Sequence, residues 1–288
     1  MKRFSLRKST LCCWLCILLG LFGMMLQVPG AEPPVTPTEP IILFDKDQTK
    51  LDHFYTYIED KKYEDPNRVF TVVDAIDGAP AIRVSGEGAY GGLITKKEYA
   101  NYRLVGEFRW GDLTWAGRKD RTRDSGILLH CFGPDGNRGG WLASIEFQII
   151  EGGVGDILVV DGKDPVTGEK LSPRATCEIT RDRDGETVWK QGGERKEFLG
   201  GRINWFGRDP DWDDVLGFRG KQDVESPGKE WTHIEYIAEG DTLKYYVNGV
   251  FVNEAFNVHP AAGKILFQTE GAEIYWRKIE LHPLKTSK

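Results

Sequence analysis

The chain has 288 residues with 38 Lys+Arg against 44 Asp+Glu, a formal net charge of −6. An acidic chain without a basic patch is a poor partner for nucleic acid, because phosphate contacts need clustered Lys and Arg. No repeat of solenoid or propeller period is found, which sets those architectures aside.

The first segment reads as an export signal. Lys2, Arg3, Arg7 and Lys8 precede an apolar run from Leu11 to Phe22, and small residues follow at Gly30 and Ala31. A basic head, an apolar middle and a small-residue end make a cleavable secretory leader over residues 1–31. An uncleaved membrane anchor is the rival, since the run approaches the ~20 residues that span a bilayer. Cleavage removes four basic residues and no acid, which moves the net charge from −6 to −10. The mature chain is then expected in the periplasm or outside the cell, with no stable membrane insertion.

Residues 32–40 hold four prolines in nine positions and read as an extended spacer. The remaining residues, 41–288, suit a single domain. Only Cys131 and Cys177 persist after cleavage. They either pair, in an oxidising compartment, or stay as two buried thiols.

Strand signals dominate this domain. Ile41–Phe44, Val69–Val73 and Ala81–Val84 are short apolar or β-branched runs. From Tyr102 to Trp110 the pattern alternates, with Arg103, Val105, Glu107 and Arg109 on the second face. Ser125–Cys131, Ser144–Ile150 and Ile157–Val160 follow. Near the end come Trp231–Ala238 and Thr242–Val247, then Asn248-Gly249, a strong hairpin signal because a tight turn needs φ > 0 twice. Phe251–Glu254, Lys264–Thr269 and Ala272–Leu281 complete the set, and no convincing amphipathic helix of ten residues is found. Many short strands punctuated by turns predict an all-β sandwich or barrel. Residues 161–229 break the rhythm and read as one long insertion loop. Its aromatics, Trp189, Trp205, Phe206, Trp212 and Phe218, favour an ordered lid or platform.

The chemistry is concentrated in Trp141–Gly153. With Ile145, Phe147 and Ile149 facing the core, Glu146 and Gln148 face the other way, about 6.6 Å apart along the strand. Strict alternation puts Glu151 with the apolar set, and a one-residue bulge near Ile150 would return it to the polar row. Two carboxyls flanking a bond suit glycoside chemistry, one protonated and one ionised; an ordinary solvated strand face with two surface glutamates is the alternative. Neighbouring strands offer Glu107, Arg109, His130 and Gln268. His130 could act as a base near neutral pH or serve as a structural hydrogen-bonder. Arg109 could equally be a counter-ion for Glu107. Trp141, Trp205 and Trp212 either present flat faces to sugar rings or pack in core and loops.

Several segments in this order resemble the bacterial 3-keto-disaccharide hydrolase family, also described as 3-keto-glucoside-1,2-lyase/hydratase. They are Ile42-Leu43-Phe44-Asp45, Leu104–Arg109, Asp124-Ser125-Gly126-Ile127, Ile145–Ile149, Val247-Asn248-Gly249, Ile265–Gln268 and Trp276–Ile279. The resemblance spans roughly residues 41–284. It implies a concanavalin A-like jelly-roll β-sandwich of two antiparallel sheets and a carbohydrate substrate oxidised at C3. The implied reaction removes the C2 proton, expels the aglycone from C1 and adds water. Glu146, Gln148 and Glu151 fit the family's acidic strand. That strand is also similar to the Glu-x-Asp-x-x-Glu of laminarinases, with Gln148 in place of the middle Asp. His130 stands where the family pattern expects an arginine, and the 161–229 insertion is not part of its shortest members.

The expected site therefore has Glu146, Glu151 and His130 as acid/base groups, with Gln148, Glu107, Arg109, Gln268, Trp141 and Trp205 binding sugar. No organic cofactor is implied, and a divalent cation has Glu and His donors available to it. A non-catalytic carbohydrate-binding module and a plain glucan hydrolase are the other two readings of the same residues.

Overall fold

The computed structural model describes residues 32–88 and 90–285. The expected leader, residues 1–31, lies outside the described residues.

Among the described residues, twenty strands and one turn of 3-10 helix are formed. In chain order they begin with β1 (Ile41–Phe44), β2 (Phe54–Ile58), β3 (Phe70–Ile76), β4 (Ala79–Val84), β5 (Tyr90–Thr95) and β6 (Tyr102–Thr114). The helical turn Ala116–Arg118 precedes β7 (Asp124–Phe132), β8 (Ala143–Ile150) and β9 (Ile157–Val160). Next come β10 (Gly162–Lys163), β11 (Lys170–Leu171), β12 (Arg174–Arg181), β13 (Thr187–Trp189), β14 (Glu194–Phe198) and β15 (Gly201–Ile203). The last five are β16 (Thr232–Glu239), β17 (Thr242–Val247), β18 (Val250–His259), β19 (Lys264–Glu270) and β20 (Ala272–Pro283).

The fold is an antiparallel β-sandwich, as expected. The smaller sheet runs β15-β9-β8-β7-β19-β5-β2. The larger runs β13-β12-β18-β17-β16-β6-β20-β4-β3, with β1 on β20 and β14 on β12. Alternation sets which side chains go inward. In β16 and β17 every second residue is buried, the signature of a sheet with one wet face. In β8 all eight residues are buried, so its polar face is covered too. Phe147 of β8 lies edge-on to Tyr236 and Tyr245 of the larger sheet, 4.5 and 4.7 Å between centroids. Phe267 and Trp276 join the sheets further along, at 5.2 Å. The β17–β18 hairpin turns at Asn248 (φ 47°) and Gly249 (φ 79°), as their sequence signal demands.

Two departures from the sequence reading matter, and one open alternative is decided. Residues 161–229 are not one loop: β12 adds to the larger sheet beside β18, and β15 adds to the smaller sheet beside β9. Only the stretch after β15, up to β16, lacks strands, and it folds back over the ends of β7 and β8. The proline-rich segment is tied to the sandwich ahead of Ile41. The Val35 N–H donates to the Glu98 carbonyl at 2.8 Å, and the Val35 carbonyl accepts from Ala100 N–H at 3.0 Å. Cys131 and Cys177 are free, buried thiols on different sheets.

Candidate active site

The site lies on the outer face of the smaller sheet, where register decides which residues meet. Antiparallel partners share a face, so Leu266, Leu128, Glu146 and Leu158 form one row across β19, β7, β8 and β9. The neighbouring row carries Gln268 opposite Gly92, and Gln148 opposite Gly126. The next holds Glu270 opposite Tyr90, and Asp124 opposite Ile150. Two glycines thus carry no side chain in the middle of the face, a trough into which Leu266 leans at Gly92. Gly126 is its floor: a Cβ there would press on Glu146 Oε1 and stand 2.8 Å from Gln268 Oε1. Two polar side chains from strands on either side of β7 therefore converge above one glycine.

Glu146 is 4% exposed and makes no hydrogen bond or ion pair among the described residues. Burial, and then the like charge of Glu270, push its carboxyl up to about 8; Arg202 pulls weakly the other way. Burial raises Glu270 as well, against the pull of Arg118 and Arg202. Two interacting acids held this way share protons, so near neutrality one is acid and the other carboxylate. The Gln148 amide is half-used. Gln148 Nε2 donates to Asp124 Oδ1 at 2.8 Å, whereas Gln148 Oε1 and Gln268 Oε1 are buried without partners. Both are buried acceptors with unused hydrogen-bonding capacity.

Guanidinium groups line one side. Arg118, from the helical turn, pairs with Asp124 and lies 3.6 Å from Glu270 and 3.5 Å from Asp214. Arg202 of β15 bonds Asp156 at 3.1 Å, and Arg208 pairs with the same carboxylate while covering the Trp212 ring at 4.5 Å. Beside them opens a cavity of about 500 Å³, bordered by Arg118, Ile150, Arg202, Trp212 and Asp214, a size typical of small-molecule sites. The strandless stretch forms its roof. Asp214 accepts from Thr122 Oγ1–H at 2.5 Å, and Leu216 N–H donates to the Asp120 carbonyl at 3.2 Å.

Of the residues expected from sequence, Glu146, Gln148 and Gln268 meet in the trough. Trp141 borders the same face, over the apolar patch of Leu128, Ile94 and Leu266. The others do not join them. No bulge occurs near Ile150; β7 and β8 stay in register from Leu129↔Ile145 to Asp124↔Ile150. Glu151 therefore leaves the row and becomes a buried brace. Its carboxylate pairs with Arg123 and accepts from the backbone N–H groups of Arg123 and Gly217, each at 2.9 Å. Its carbonyl accepts from Trp212 Nε1–H at 2.9 Å.

The bulge falls instead in β7, where the register slips between Leu129 and Phe132 and His130 takes φ 54°. This turns His130 inward, edge-on to Tyr102, with Nδ1 donating to the Pro260 carbonyl at 3.0 Å. Burial drives its pKa down to about 4, so it stays neutral in the core and away from the trough.

Glu107 and Arg109 sit on the wet face of the larger sheet. Glu107 bonds Arg277 at 2.6 Å, and His233 and Arg277 hold its carboxyl down at about 2. Arg109 bonds Asp77 at 2.7 Å. Trp205 is 1% exposed, a core residue, and Trp212 is the insertion's tryptophan that reaches the cavity.

Sequence reasoning missed Asp124, Glu270, Arg118 and Arg202. Period-2 alternation could have found two of them, since Asp124 precedes Gly126 and Glu270 follows Gln268 on the same face. The arginines come from a helical turn and an edge strand with no pattern to betray them. Among the described residues no group of three or more His, Cys, Asp or Glu side chains is placed to hold a metal ion, and no helix is long and apolar enough to cross a membrane.

Two interacting carboxyls beside a polar cavity on one sandwich face are the equipment of a carbohydrate-active, glycoside-acting enzyme. The 3-keto-alpha-glucoside-1,2-lyase-like domain matches residues 39–282, and the chain belongs to that family. Comparison with curated proteins gives no match. Two solved structures of candidate glycosyl hydrolases from Parabacteroides distasonis ATCC 8503 are similar at 13% and 15% identity. They cover 86% and 85% of this chain and 94% and 100% of theirs, with TM-scores of 0.47 and 0.44. The carbohydrate binding module CBM66 from Bacillus subtilis is similar at 10% identity, covering 80% of this chain and 96% of its own, with a TM-score of 0.40. Likeness at this level carries no functional argument.

Proposed function

We propose that the trough cleaves the glycosidic bond of 3-keto-glycosides by elimination followed by hydration. The observation that carries this reading is Glu146: a buried, unpaired carboxyl that keeps its proton to about pH 8 beside a second, cation-flanked acid. A C3 ketone acidifies the C2 proton. Glu270, flanked by Arg118 and Arg202, is the carboxylate that takes it. Glu146 gives its proton to the departing oxygen as the C1–O bond breaks and the C1–C2 double bond forms. The two acids have then exchanged states. Hydration runs in reverse: Glu146 takes a proton from water as oxygen bonds C1, and Glu270 returns a proton to C2. The developing oxyanion at C3 gains from the guanidinium-lined cavity, where Arg202 and Arg118 supply positive charge. Gln148 Oε1 and Gln268 Oε1 accept from sugar hydroxyls and orient the ring.

NMR of the purified protein with 3-keto-trehalose, beside unoxidised trehalose and a Glu146→Gln control, tests the reading. Turnover of the keto sugar alone, abolished in the variant, is expected. No turnover of either, with sugar-dependent tryptophan quenching retained, would make the protein a binding module instead.

The same proposal has the protein exported, supported by the basic head and apolar run of residues 1–31. An intact mass of the exported protein beginning near Glu32 is expected, and a full-length mass in the membrane fraction would refute cleavage.

A further inference from the structure

The trough has a second wall, across the smaller sheet from Arg202 and Arg208. Tyr90, the first residue of β5, is 47% exposed, a large aromatic left open beside the half-buried Glu270. Its register partner is Glu270, which puts the two Cβ atoms on one face as cross-strand neighbours. A Cβ on Gly117 would come within 4.0 Å of the Tyr90 hydroxyl, so the ring leans toward the helical turn that carries Arg118. The ring is also buttressed. Trp141 stands perpendicular to it with centroids 5.5 Å apart, and Trp141 Nε1–H donates to the Gly91 carbonyl at 3.2 Å. Gly140 lies directly on the Tyr90 backbone, with no room for a side chain between. The open aromatic is therefore fixed in place, and no charged partner competes for its face among the described residues.

The two walls differ in chemistry. One is cationic and roofed by the strandless stretch, suited to the ring whose ketone becomes an oxyanion. The other is aromatic and open, suited to the apolar C–H face of a sugar that only has to leave. Resting on the elimination reading above, we propose that Tyr90, backed by Trp141, is the leaving-group subsite. The oxidised ring occupies the arginine-lined cavity, the glycosidic oxygen sits over Glu146 and Gly126, and the departing sugar stacks on Tyr90. The enzyme then prefers substrates whose leaving group is a second sugar ring or another flat, partly apolar group.

The test compares kcat/KM for 3-keto-trehalose with that for methyl 3-keto-α-glucoside, in the full protein and in Tyr90→Ala and Tyr90→Phe. Tyr90→Ala is expected to lower the disaccharide-to-methyl ratio roughly tenfold, the loss of one aromatic stack, while Tyr90→Phe keeps it. A ratio unchanged in Tyr90→Ala would overturn the assignment. If neither keto substrate turns over in the wild type, calorimetric binding of trehalose against methyl α-glucoside decides separately. A disaccharide advantage lost in Tyr90→Ala upholds the subsite while the elimination reading fails, and no such advantage in the wild type sinks both.

Discussion

Substituting Gly126 by Ala tests the trough at its floor. Gly126 has ordinary strand dihedrals, so alanine brings no backbone strain and removes some unfolded-state entropy, worth about 0.4–1 kcal/mol in its favour. The new methyl group nevertheless meets Glu146 Oε1 and Gln268 Oε1. The carboxyl falls about 1 Å short of ordinary contact and must swing away, since it is the free end of a side chain with no bond holding it. Overpacking of this kind costs about 1–3 kcal/mol, so the net loss of stability lies between about 0 and about 2.6 kcal/mol, centred on about 1 kcal/mol. In a domain of this size each kcal/mol lowers Tm by about 2–4 °C. Displacing an acid by about 1 Å can cost about 100-fold in rate. The expected variant is folded, melts a few degrees lower, and turns over 3-keto-trehalose about 100 times more slowly by NMR. A folded Gly126→Ala protein with wild-type kcat would refute the reasoning, because Glu146 would then be moved without consequence.

The remaining predictions concern the buried ionisable groups. Because the folded pKa of Glu146 is raised, the native state holds the extra proton and stability falls as pH rises from the unfolded value toward about 8. Glu146→Gln, which mimics the neutral acid, should therefore resist urea better than wild type at pH 9, with the advantage absent at pH 4; an equal difference at both would contradict a raised pKa. In the wild type, kcat/KM should fall as pH rises through about 8, and a rising limb there would exclude Glu146 as the acid. Glu151→Ala should lose about 3 kcal/mol, seen as an earlier urea midpoint, because it strands the half-buried Arg123 and frees the roof at Gly217; retained stability with lost turnover would restore Glu151 as a catalytic acid. His130 is neutral when folded and its pKa is depressed to about 4, so it weakens the fold as pH drops below its unfolded value. His130→Asn, which tolerates the positive φ, should lose less stability between pH 7 and pH 4.5 than wild type and leave the pH–rate profile unshifted.

Local pattern carried much of this protein. Alternation in β6 and β8, the Asn248-Gly249 turn and the absence of helical periodicity were enough for an all-β sandwich or barrel, because the two-residue repeat of a strand maps directly onto its two faces; the choice of an antiparallel sandwich rested on the family resemblance. The same repeat put Glu146, Gln148 and Gln268 on polar faces, where the tertiary structure then gathers them. It could not say which sheet a strand enters. Glu107 and Arg109 alternate as cleanly as Glu146 and Gln148, yet β6 lies in the larger sheet and its polar face looks out to water.

Nor could it place the bulge. One extra residue at His130, rather than near Ile150, turned a histidine into the core and left Glu151 outside the row, since each single-residue slip exchanges the faces. The meeting of Glu270 with Glu146, the arginines from distant segments and the insertion's division into strands and roof belong wholly to tertiary structure. They rest on contacts between residues far apart in the chain, and it is those contacts, with the water they exclude, that make a buried glutamate hold its proton.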